Sequence, residues 1–177
     1  PADEPTTASS GISFSDPGTD ELTVFWSSGN GARRIVLMNS GSAVDAVPED
    51  LDVYSADPVF GLGDQVGAGN YVVYNGSGSS VTVSGLTAGV DYHIAVFEYN
   101  GDNGTQNYLT TIVPTGSWTK LTAEPTTAAS SLEMTPLGST ALNLSWTPGD
   151  GESHIVVMKK GSAVDGLPAD GETYFGS

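Results

Sequence analysis

The chain repeats itself at a constant offset of 120 residues, and that period limits what it can fold into. EPTTASS from Glu4 returns as EPTTAAS from Glu124, Trp26 as Trp146, IVLM (Ile35 to Met38) as IVVM (Ile155 to Met158), and GSAVD from Gly41 as GSAVD from Gly161. Pro48, Asp50 and Tyr54 return as Pro168, Asp170 and Tyr174, and about 22 of the 57 aligned pairs are identical without an insertion or deletion. Solenoid repeats run about 20–50 residues, so a unit of this length is a whole domain. The second copy ends opposite Asp57 and holds nothing that matches residues 58–120. The expected organisation is a complete module over 1–122, followed over 123–177 by the N-terminal half of a second module with its first three strands.

The local pattern within the unit is β throughout. Short runs of Val, Ile, Thr and aromatic residues alternate with Gly/Pro/Asn/Asp turns, and no stretch sustains a 3.6-residue apolar period. In ELTVFW, Leu22, Val24 and Trp26 fall on one face and Thr23 and Phe25 on the other. Strands are also predicted at 6–14, 32–39, 71–76, 79–86, 91–101, 107–114 and 116–122. That is seven or eight strands in about 115 residues, which indicates an antiparallel two-sheet sandwich, with a closed barrel as the competing architecture. Residues 120–125 (KLTAEP) are too short and stiff for a flexible tether, so successive modules are expected end to end.

Charge and cysteine content remove several function classes. The 21 acidic residues against five Lys and Arg give a net charge of −16, which opposes nucleic-acid backbones and anionic lipid surfaces. With no cysteine there are no disulfides, thiolate metal sites or thiol nucleophiles. No run approaches the length of a membrane-spanning helix. Pro1 in place of an initiator Met is what a processed or internal segment would show.

Catalytic signals are weak. His93 and His154 do not correspond in the repeat, since His154 aligns with Arg34. No serine lies in a G-x-S-x-G elbow. GLGDQVGAG lacks the strand–helix frame of a dinucleotide site. Glu98 has the same parity as Tyr92, Ile94 and Val96; if it points inward it needs a partner, which Arg33 or Arg34 could supply, and the alternative is that this end of the strand is exposed. The reading is of a chain that is not an enzyme.

Two features of the 40–70 connection and its surroundings are candidate sites. Asp45, Asp50, Asp52, Asp57 and Asp64, with Glu49, crowd this connection, and oxygen ligands of that kind suit calcium. Their spacing matches no EF-hand loop, and the alternative is that they cap turns. Separately, the strands at 35–38, 71–74 and 94–99 carry apolar residues on both faces, so the outer face of their sheet must be covered or left as an exposed patch. Residues 46–66 are predicted to fold back over it, with Val53, Tyr54, Val59, Phe60 and Leu62 as the cover. The rival reading leaves Phe97 and Tyr99 bare as a face for glycan or protein ligands.

Trp26 at the end of the second strand, followed by a turn and an apolar third strand, resembles the fibronectin type III module. So does LTAGVDY (Leu86 to Tyr92), whose Leu-to-Tyr spacing is similar to a tyrosine corner. The 40–70 connection is about 20 residues longer than that family's usual link. With GSAVD and FEYNG, the pattern is similar to a variant carried in tandem by bacterial secreted and cell-surface proteins. The resemblance implies an extracellular, non-catalytic structural or adhesive repeat: a spacer, stalk or filament-forming unit without a required cofactor. Its partners would be neighbouring modules or other copies, with no nucleic acid and no membrane insertion. The alternative is a carbohydrate- or protein-binding accessory module of a secreted hydrolase. The half-module is expected to need completion, by a neighbouring copy or by further chain beyond Ser177; residues 121–177 could also compete with 1–57 for residues 58–120, but the pairing of 58–120 with 1–57 is expected because the 40–70 connection is continuous there.

Overall fold

The computed structural model describes residues 1–18 and 20–175 and divides the chain into two compact units, one over 1–122 and one from residue 123 on. Every regular element among the described residues is a strand.

The first unit is a two-sheet antiparallel sandwich. Its strands are β1 (Ser10–Ser15), β2 (Leu22–Ser27), β3 (Arg33–Ser40), β4 (Tyr71–Gly76), β5 (Ser80–Val83), β6 (Asp91–Asn100), β7 (Asn107–Tyr108) and β8 (Thr115–Thr119). One sheet has the order β1-β2-β5; the other has β4-β3-β6-β7, with β8 also paired to β6. The chain crosses between sheets after β2, β4 and β5, which gives open layers rather than a closed barrel. Residues 107–114, expected as one strand, form only two ladder residues before looping out. Five residues of β6, Ala95 to Tyr99, face eight, Tyr108 to Thr115, so the edge strand buckles and resumes as β8.

Alternation sets the inner core. Leu22, Val24 and Trp26 are buried while Phe25 is 42 % exposed. They meet Val36, Met38, Val73, Tyr92, Ile94 and Val96 from the facing sheet. The Tyr92 hydroxyl accepts the Thr87 N–H at 2.9 Å, tying the connection before β6 to the core. Trp26 packs edge-on against Tyr74 at 5.3 Å.

The second unit contains β9 (Ser130–Pro136) and β10 (Leu142–Thr147), paired antiparallel. They correspond to β1 and β2 down to a shared bulge, where Gly11 (φ +62°) and Ser131 (φ +53°) occupy the same left-handed position. The third expected strand is a correction: Ile155 to Met158 belong to no strand, and each is about half exposed or more. The reason lies in the first unit, where the matching β3 is sandwiched between β4 and β6, and residues up to 175 offer no counterpart of either. A strand's ladder bonds come from its neighbours, so an apolar run alone does not make one.

Candidate functional site

Residues 41–70 do more than cover a face. On one side, Val66 and the half-buried Val44, Ala46 and Tyr54 pack with Ile35, Leu37, Val72, Ala95, Phe97, Tyr99 and Tyr108 in a second core on the outer face of the β4-β3-β6-β7 sheet. On another, the connection pairs with the free edge of β4: Asp57 N–H donates to Val72 C=O at 3.1 Å, and Val72 N–H donates to Asp64 C=O at 2.9 Å. Further along, Phe60 N–H donates to Ser84 C=O and Ser84 N–H to Pro58 C=O, both at 2.9 Å. The insertion therefore closes off backbone that would otherwise template aggregation.

The composition of the cover differs from expectation. Of the five predicted residues only Tyr54 joins the outer core. Val53 and Leu62 remain exposed, at 62 % and 69 %. Phe60 instead plugs the inner core, edge-on to Tyr71 at 5.4 Å and to Tyr92 at 5.2 Å. Small residues at 44, 46 and 66 reach the sheet because the loop runs close to it, a distance that parity does not reveal.

Phe97 and Tyr99 are each 2 % exposed, which corrects their assignment as an open binding face. The Tyr99 hydroxyl donates to Asn75 Oδ1 at 2.6 Å, and its ring packs on Tyr108 at 4.9 Å. Tyr108 donates its hydroxyl proton to Asp52 C=O at 3.1 Å. Burial, then the neighbouring Tyr99 and Tyr54 and the charges of Asp52 and Asp50, push the Tyr108 phenol well above its ordinary value. Desolvation likewise raises that of Tyr54.

The five aspartates are spread along the connection, each engaged locally. Asp45 accepts from the Asn70 amide at 2.9 Å, and Asn70 in turn accepts from Asn39. Asp50 accepts the Tyr108 N–H at 2.8 Å, pinning the insertion to β7. Asp52 lies 3.4 Å from the Tyr54 hydroxyl. Asp57 accepts Val59 N–H at 2.8 Å in an Asx turn, and Asp64 accepts Ser55 N–H at 2.7 Å. Among the described residues no three His, Asp or Glu side chains converge as a metal site. The P-x-D-x-x-x-Y stretch closes on itself in both units: Glu49 N–H donates to the Tyr54 hydroxyl at 3.0 Å, and Ala169 N–H to that of Tyr174 at 2.9 Å.

Two buried ion pairs organise the first unit. Glu98, 1 % exposed on β6, receives Gly29 N–H at 2.8 Å, Gly31 N–H at 3.1 Å, the Ser9 hydroxyl and Arg34 Nη2 at 3.3 Å, and Arg34 Nε lies 3.2 Å away in the ion pair. Parity indicated the burial and left Arg33 or Arg34 as the charge partner, of which the structure selects Arg34; the glycine amides were not legible, because they depend on the β2–β3 turn passing over the β6 end. That turn is tight: a Cβ on Gly29 would lie 2.0 Å from Thr7 C=O.

The second pair escaped the sequence reading. Asp16, with its side chain 1 % exposed, contacts Lys120 Nζ at 2.6 Å, Trp118 Nε1 at 2.9 Å, Leu121 N–H at 2.8 Å and Gly18 N–H at 2.8 Å. Burial alone would raise its pKa, but these hydrogen bonds outweigh it and bring the carboxyl to about 2. The signal available was the lone Lys120 at the end of an otherwise acidic unit.

His93 is half-buried on β6 opposite Ser117, in an open cavity of about 330 Å³. Among the described residues no hydrogen bond joins the two. The molecule belongs to the all-β class of antiparallel sandwiches. No family model matches the chain, and no curated protein matches it.

Proposed function

We propose that the chain is a non-catalytic structural repeat of the fibronectin type III type, acting as a spacer, stalk or adhesive unit of a secreted or cell-surface protein. The observation that carries this reading is what the repeat keeps. Both units retain the same hairpin and bulge, the same loop closed on a tyrosine hydroxyl, and the same cap at the β2–β3 turn. In that cap Asn30 receives Thr6 and Thr7 N–H, and Asp150 receives Thr126 and Thr127 N–H. One group that could do chemistry is not shared between the copies: His154 stands where the first unit has Arg34. Selection for shape leaves that record.

The strand order, Trp26 in the inner core and the Tyr92 hydroxyl bonded five residues upstream support the family assignment. Burial of Phe97 and Tyr99 removes the feature that favoured a ligand-binding accessory module. Two measurements test the proposal. On intact cells of the native organism, externally added protease should cleave the protein. On a glycan array a spacer or stalk should give no saturable signal; micromolar binding mapped to the first unit would refute the spacer and stalk roles and leave the adhesive one.

A further inference from the structure

One sheet edge of the first unit is left open. The insertion closes β4 and the end of β5, β1 carries a bulge between Ser10 and Ser13, and β7 is two residues long. β8 has none of these devices. It pairs with β6 without a register shift from Thr115 to Thr119 and holds no proline and no charged residue. Val96 N–H donates to Pro114 C=O at 3.2 Å, and Lys120 N–H to Val90 C=O at 2.9 Å, so the even-numbered residues of this stretch turn their backbone groups toward β6. Thr115, Ser117 and Thr119 turn theirs the other way, and among the described residues those groups form no hydrogen bond. Their side chains are exposed as well. In a chain of net charge −16, the span from Asn103 to Thr119 carries no charged side chain.

We infer that β8 is a homotypic docking edge, to which the β8 of a second copy of this chain adds antiparallel across a two-fold axis at Ser117. The outward positions are self-complementary: Thr115 faces Thr119 of the second copy, and Ser117 faces its own equivalent. Each such pair exchanges both of its backbone bonds, and threonines are favourable cross-strand neighbours. The charge distribution selects this occupant. Two acidic copies repel one another least where side-chain charge is absent, and the uncharged span contains the edge itself. A cationic foreign strand would meet no carboxylate on β8, and Asp91 across the ladder already accepts from the Thr119 hydroxyl. A ladder of 5 residues buries far less than the roughly 1,000 Å² of a stable dimer, so a single contact is weak and reversible. In a tandem array such contacts add through effective concentration. The axis also sets the two copies in opposite directions, as chains anchored on facing surfaces would meet. That consequence for adhesion rests on the role proposed above; the pairing itself does not.

The chain has no cysteine, so single cysteines placed in the full chain report the contact. At about 0.5 M salt, where repulsion between copies is screened, Ser117→Cys should oxidise to a disulfide-linked dimer about tenfold faster than Ser80→Cys, an exposed position on β5. Thr115→Cys mixed with Thr119→Cys should give the mixed dimer in about tenfold excess over either self-dimer, because the register joins those two positions and separates each from its own equivalent. Adding Ser117→Pro removes an outward N–H and leaves the β6 ladder intact; it should reduce the mixed dimer to the Ser80→Cys rate while the protein still unfolds cooperatively. Equal rates for Ser117→Cys and Ser80→Cys overturn the docking edge, and self-dimers of Thr115→Cys that match the mixed dimer overturn the antiparallel register. In the unsubstituted chain the amide resonances of Thr115, Ser117 and Thr119 should shift as its concentration rises toward about 1 mM. Amides that stay fixed overturn the second copy as occupant, and a shift only on adding an extended peptide of alternating Lys and Val gives the edge to a foreign strand instead. None of these readings depends on where the protein is located, so their failure is separable from failure of the protease test above.

Discussion

Replacing Asp16 by asparagine should separate two contributions that the structure assigns to one carboxylate. Asp16 joins the turn after β1 to the end of β8 through Trp118, Lys120 and Leu121, and its partner Lys120 has a side chain fully shielded from solvent. The substituted amide would keep an acceptor but leave the ammonium without a counter-charge, and breaking a buried pair in this way costs about 3–5 kcal/mol. The remaining amide oxygen and the Leu121 C=O, 3.0 Å from Nζ, place the expectation at the low end, about 3 kcal/mol. The pH dependence provides the sharper reading. A carboxyl brought from 3.8 to about 2 on folding binds its proton later in the native state than in the unfolded one. Its stabilisation is full above the unfolded value and is lost as pH falls from about 4 through about 2, roughly 2 kcal/mol in all. Urea unfolding of wild type and Asp16→Asn across pH 2–6 measures the difference, which cancels the titration of the other carboxylates. The two stability curves should converge by about 2 kcal/mol as pH falls. The Trp118 indole N–H resonance, followed in parallel, should titrate near pH 2 in the wild type. Parallel curves, with Trp118 titrating near 4, would refute the reasoning.

Tyr92→Phe keeps the core packing but leaves the Thr87 N–H without its acceptor, and should lower the unfolding free energy by about 1–2 kcal/mol in urea titrations. Glu98→Ala strips Arg34 and two glycine amides of their acceptor and should destabilise by about 3–5 kcal/mol; Arg34→Met with Glu98→Leu should restore much of that, measured as a double-mutant cycle. Gly29→Ala should cost more than an ordinary glycine substitution, because its Cβ would meet backbone at 2.0 Å; thermal melts read the loss. Calcium at about 10 mM would stabilise a protein with even a weak extracellular-type site by about 1.4 kcal/mol. With Asp45, Asp50, Asp52, Asp57 and Asp64 each held by local donors, the urea midpoint should not move.

Period and parity made much of the fold readable in advance. Alternation at Leu22, Val24 and Trp26 set the inner face of β2, and the two-faced apolar runs at 35–38 and 94–99 announced an outer face in need of cover. The same parity placed Glu98 inside. Periodicity describes one strand at a time, however, and each failure arose where neighbours decide. Ile155 to Met158 has the composition of β3, but a strand exists only through the strands beside it. Phe60 and Val66 sit in one connection, and only the path of that connection sends the first to the inner core and the second to the outer. Asp16 and Lys120 are 104 residues apart, and nothing local links them. The sequence by itself determined the β class, the repeat and the inward faces, because those follow from side-chain alternation and identity along the chain. Tertiary structure alone decided which apolar face is covered, which carboxylates meet cations, and which backbone edges remain open, because those depend on distances between segments far apart in the chain.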